Sequence, residues 1–78
     1  MNNTERMGTI MIKIVDLEKI DSISVLFLDS DLPRAGWNKV VIDGIKYAPI
    51  PVYDMEKVVA VVGDGFYCGQ EVEFLYEV

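Results

Sequence analysis

Seventy-eight residues with 51% hydrophobic content suffice for one small packed domain and argue against a disordered chain. Thirteen acidic against seven basic residues leave a net charge of −6, a sign that repels phosphate backbones and weighs against direct nucleic-acid binding. With no histidine and only one cysteine, Cys68, the chain lacks the material for soft-metal centres, imidazole catalysis or an intrachain disulfide, so no metal and no cofactor are expected.

Met1 to Met7 is polar and reads as a flexible leader, followed by a single small β domain over residues 8–78. Alanine appears only at positions 35, 48 and 60, while valine and isoleucine abound, a bias toward strands. No apolar run approaches the roughly 18 residues of a membrane span, and no basic-then-apolar signal pattern opens the chain. The expectation is a cytoplasmic protein with no membrane partner.

Gly8 to Val15 predicts the first strand, with Ile10, Ile12 and Ile14 on one side. Asp16 to Ser22 fits either a single helical turn capped by Asp16 or a broad turn between antiparallel strands. Ile23 to Asp29 predicts a second strand that is apolar on both faces, the pattern of a central position. Asp29 to Gly36 is a loop. Its Asp29-Ser30-Asp31 run offers two carboxylates, too few for a dedicated cation site.

The strongest local signal is Trp37 to Pro49, two β-branched runs around Asp43-Gly44. A type I′ turn needs positive φ at both central residues, which glycine accepts freely and aspartate tolerates. The two-residue loop fixes the register: Ile42 opposite Ile45, Val41 opposite Lys46, Val40 opposite Tyr47. Val40, Ile42, Ile45 and Tyr47 then form the core face, with Lys39, Val41, Lys46 and Ala48 on the other. Pro49 and Pro51 end that strand or place it on an edge.

Val52 to Glu56 reads as a short bridge or one helical turn, and Lys57 to Val62 as the fifth strand. Gly63 to Gly69 is a glycine-punctuated connection whose spacing misses a phosphate-binding fingerprint and is followed by no helix signal. Cys68 within it has no nearby base and reads as a quiet, partly buried thiol. Gln70 to Val78 alternates cleanly, placing Glu71, Glu73 and Glu77 on one face, where Lys39, Lys46 and Lys57 are candidates to lie opposite.

These elements predict a mainly β fold: a small curled antiparallel sheet or barrel of five to six short strands, with one short helical turn at most. An antiparallel sheet with one short helix packed across it is the runner-up. No catalytic constellation emerges, so the chain is expected to bind rather than catalyse. Trp37, Tyr53, Phe66 and Tyr67 fall at strand ends or in loops, and with Arg34 and Asp64 they form the candidate interface. The leading reading is a small acidic intracellular protein-binding module, meaning an adaptor, regulatory subunit or inhibitor, whose partner is another protein, plausibly a basic one. The rivals are a self-assembling β subunit and an acidic inhibitor that fills the nucleic-acid-binding groove of a basic protein. A divalent-metal-dependent enzyme ranks last.

Overall fold

The computed structural model describes residues 12–33, 36–50, 52 and 55–77. Seven strands follow one another: β1 (Ile12–Ile20), β2 (Ile23–Leu28), β3 (Lys39–Ile42), β4 (Ile45–Tyr47), β5 (Pro49–Ile50), β6 (Val58–Val62) and β7 (Glu71–Leu75). All pairings are antiparallel, in the order β4-β3-β7-β1-β2-β6-β5.

This order corrects the expected curled sheet or barrel of five to six strands. The ladder runs open from β4 to β5, with seven strands and no helix among the described residues. Two physical causes account for the difference. The second arm of the hairpin divides at Ala48: β4 pairs with β3, while β5 pairs with β6. β4 and β5, successive stretches of one run, form no ladder with each other and stand at the two ends of the strand order. The segment expected as a helical turn, Asp16 to Ser22, instead continues β1 to Ile20 and turns over Asp21 and Ser22, with Asp21 at φ +54°. Ile20 lies opposite Ile23, so this is a second two-residue hairpin.

The Asp43-Gly44 hairpin has the predicted register, and its turn residues lie at φ +55° and +79°. On its expected core face Val40 and Ile42 are buried and Tyr47 is half-buried, but Ile45 is 55% exposed. The predicted strand over Gly8 to Val15 lies partly outside the described residues, and the leader Met1 to Met7 lies wholly outside them.

β1 serves two neighbours in succession. Ile12 and Lys13 pair with Val72 and Glu71 of β7, whereas Ile14 to Ile20 pair with β2. The β1–β2 register slips between Ile14 and Asp16, leaving Val15 as the extra residue of a β-bulge. Asp29 holds the ladder there: its amide donates to the Lys13 carbonyl at 3.0 Å, and its Oδ1 accepts from the Lys13 amide at 3.0 Å.

One face of the ladder carries the core: Ile12, Ile14, Leu26, Leu28, Val40, Ile42, Val59, Val61 and Val72. These residues come from both sides of β1, so a single cluster joins the two three-strand groups. Two buried polar side chains sit at its edges, each hydrogen-bonded as burial requires. Ser24 Oγ donates to the Gly63 carbonyl at 2.6 Å. Gln70 accepts from the Tyr67 amide at 3.1 Å and donates through Nε2 to Asp43 Oδ2 at 2.6 Å. Gln70 thereby ties the β3–β4 turn to the connection before β7, while its carbonyl accepts from Ile14 of β1.

Candidate docking face

The six residues expected to form an interface do not converge. Trp37 is half-buried, edge-on to Phe74 with ring centroids 4.8 Å apart, and its indole N–H donates to the Pro33 carbonyl at 3.3 Å. Phe66 is half-buried and stands edge-on to Tyr47, with centroids 5.3 Å apart. Both rings pack against the core cluster, where each extends a small hydrophobic interior. Tyr67 is exposed, and Asp64 is exposed and faces Lys19 with an N–O distance of 3.8 Å. Arg34 and Tyr53 lie outside the described residues. Cys68, expected to be partly buried, is an exposed free thiol. Asp29 of the Asp29-Ser30-Asp31 run is occupied by the Lys13 amide and by Ser30 Oγ at 3.3 Å.

The two outer faces of the ladder differ sharply in chemistry. Over β1, β7, β3 and β4 the outward side chains follow from the registers. Lys13 lies opposite Glu71, Lys39 opposite Leu75, and Val41 between Lys46 and Glu73. Lys46 reaches Glu77 in an ion pair, as the expected meeting of lysine and glutamate faces requires. The Lys46 ammonium hydrogen-bonded to Glu77 holds that carboxyl below its ordinary value of 4.5 against the opposing effect of desolvation, with lesser help from the charges of Lys46 and then Lys39. Asn38 extends this ladder with its side chain: its amide nitrogen donates to the Glu77 carbonyl at 2.6 Å, and its oxygen accepts from the Glu77 amide at 2.8 Å. This is a solvated face of interspersed charge.

The other outer face, over β1, β2, β6 and β5, is apolar. Because Leu17, Leu26, Val59 and Val61 point into the core or pack against it, their neighbours along each strand point outward. The registers then give three rows. Asp16, Phe27 and Val58 form the first; Glu18, Val25, Ala60 and Ile50 the second; Ile20, Ile23 and Val62 the third. Ile20 and Val62 are 51% and 58% exposed, Ile23, Val25, Phe27 and Ile50 are half-buried, and Val58 and Ala60 are buried. Asp16 and Glu18 stand together on the β1 margin, and neither has a cationic partner among the described residues.

The sequence marks Ile23 to Asp29 as apolar on both sides and Lys57 to Val62 as a strand, but not this surface. Its rows exist only through the non-local pairing of β2 with β6. The available signal was the absence of alternation in Val58–Val62: a strand apolar on both sides belongs between two covered faces. One of those faces is the core, and the other is this patch.

The fold and surface define an all-antiparallel sheet protein with one charged and one apolar outer face. The chain matches no family profile, no curated protein and no solved structure. Among the described residues no helix is long and apolar enough to cross a membrane, and no three of the histidine, cysteine and carboxylate side chains group as metal ligands do.

Proposed function

We propose that this is a small acidic protein-binding module of the cytoplasm, an adaptor or regulatory subunit, that docks its partner on the outer face of β2 and β6. The single observation behind this reading is the uncovered row Ile20–Ile23–Val62 continuing into Val25 and Phe27. Exposed apolar side chains grouped on a sheet, rather than scattered, mark interaction surfaces. The lone cysteine suits a reducing compartment.

An acidic inhibitor of a nucleic-acid-binding protein needs carboxylates gathered at phosphate-like separations. The alternation of Lys13, Lys39 and Lys46 with Glu71, Glu73 and Glu77 favours solubility instead. A subunit assembling edge to edge needs a long free strand. The ladder ends in strands of three and two residues, and the second begins with a proline that has no N–H to donate.

The test is affinity capture from native cell extract with two baits, the wild-type chain and Ile20→Lys/Val62→Lys. Both positions are over half exposed, so the melting transition should be nearly unchanged. A partner retained by the first bait and lost by the second supports the reading. Equal retention by both moves the interface elsewhere, and recovery of bait alone favours self-assembly.

A further inference from the structure

Given that docking role, we infer that the occupant of the β2–β6 face is a basic amphipathic helix of another protein, its apolar stripe over Ile23, Val25 and Val62 and its lysines or arginines against Asp16 and Glu18. Three features of the face select this occupant.

The first is size. Four strands about 4.8 Å apart and rows spanning four residues make a face of roughly 14 by 14 Å. A helix about 10 Å across spans the three strands β1, β2 and β6, and roughly nine of its residues cover the length.

The second is architecture. A sheet with an apolar outer face is completed by a packed layer, and the described residues of this chain supply no helix. Strand addition is disfavoured at the adjoining edge because β5 is two residues long and starts with Pro49.

The third is charge. Asp16 and Glu18 are two residues apart on one strand face, about 6.8 Å along the strand. Cations four residues apart on a helix rise by about 6 Å, so one helix running along β1 meets both carboxylates at once. A second copy of this chain does the opposite. With a two-fold axis along the strands, Glu18 is pressed on the apolar Ile50; with the axis across them, carboxylate meets carboxylate; and either way two charges of −6 are brought together. Lys19 does not neutralise the margin, because it points to the core side and is engaged with Asp64 and the Asp21 carbonyl.

The experiment is selection of a displayed random peptide library on the full-length chain, followed by synthesis of the enriched peptides and anisotropy titration against variants. The expected winners carry apolar residues at helical spacing flanked by Lys or Arg four apart, and gain helical ellipticity on binding. Their affinity should fall more than about tenfold on Ile20→Lys/Val62→Lys. It should fall about three- to tenfold on Asp16→Asn/Glu18→Gln, a loss that disappears near 1 M salt. If the lysine pair lowers the melting transition, Ile20→Ser/Val62→Ser replaces it. Winners insensitive to Asp16→Asn/Glu18→Gln, or lacking cations or helical spacing, overturn the basic helix while leaving the docking face intact. Winners insensitive to the Ile20 and Val62 changes overturn both. A wild-type chain that selects no peptide and dimerises through Ile20 and Val62 overturns the inference in favour of a second copy.

Discussion

Replacing Gln70 with leucine tests how the β3–β4 turn is held to the rest of the sheet. Gln70 is 6% exposed, and its side chain makes two hydrogen bonds, one to the carboxylate of Asp43 and one from the amide of Tyr67. A bond to a charged group contributes about 1.5–3 kcal/mol, and a neutral one about 1 kcal/mol. Asp43 is exposed and regains water when its partner is removed, which brings the first contribution to the low end. Leucine keeps the buried volume and returns about 1 kcal/mol through its apolar surface. The net loss is then about 1.5 kcal/mol, or a melting transition lowered by about 6–12 °C in a domain of this size. Urea unfolding is the assay, with an unchanged m-value required for the comparison. A double-mutant cycle with Asp43→Ala isolates the Gln70–Asp43 bond and should return a coupling of about 1 kcal/mol or more. An unmoved midpoint, or a coupling near zero, would refute the tie between the two turns.

Other expectations follow from the same geometry. Gly44→Val should cost at least about 1–2 kcal/mol, because Gly44 lies at φ +79° with open space around it and backbone strain is then the whole effect; an unchanged midpoint removes the type I′ assignment. Trp37→Ala should lower stability by about 2–4 kcal/mol and leave partner capture intact in the folded fraction, whereas intact stability with lost capture returns this ring to the interface. Glu77 has a folded pKa below its ordinary 4.5, so its ion pair stabilises fully above that value and the contribution is lost as pH falls through the folded pKa. The gap in melting temperature between wild type and Glu77→Gln should therefore be present at neutral pH and vanish on acidification; a gap that persists in acid contradicts the pairing with Lys46.

The parts of this fold legible in the sequence are those fixed by local chemistry. Asp43-Gly44 demanded a turn with positive φ, and that demand set every pairing between Val40 and Tyr47. The second half of β1 was not legible, because Asp16, Glu18 and Lys19 give it the composition of a solvated loop. It is a strand because β2 beside it supplies the ladder, and Asp21 takes the same left-handed φ as Asp43 without a glycine to announce it. Partner switching was also invisible. The bulge at Val15 and the division at Ala48 depend on which strands lie alongside, so that β1 and the β4–β5 run each pair with two neighbours in succession. The candidate site suffered from the same cause. Loop aromatics stood out by position, yet Trp37 and Phe66 turned inward onto a core too small to do without them. Asp16 and Ile20 joined the surface of Val25 and Val62 only through cross-strand register.

The most direct measurement is a methyl-resolved NMR titration of the full chain with its captured partner, or with a selected peptide. The methyl groups of Ile20, Ile23, Val25 and Val62 report on the apolar outer face, and those of Val41 on the charged one. Shifts concentrated in the first set, with Val41 unmoved, are the predicted result. Shifts at Val41 with Ile20 and Val62 silent would place the partner on the charged outer face over β3 and β7 and contradict the account.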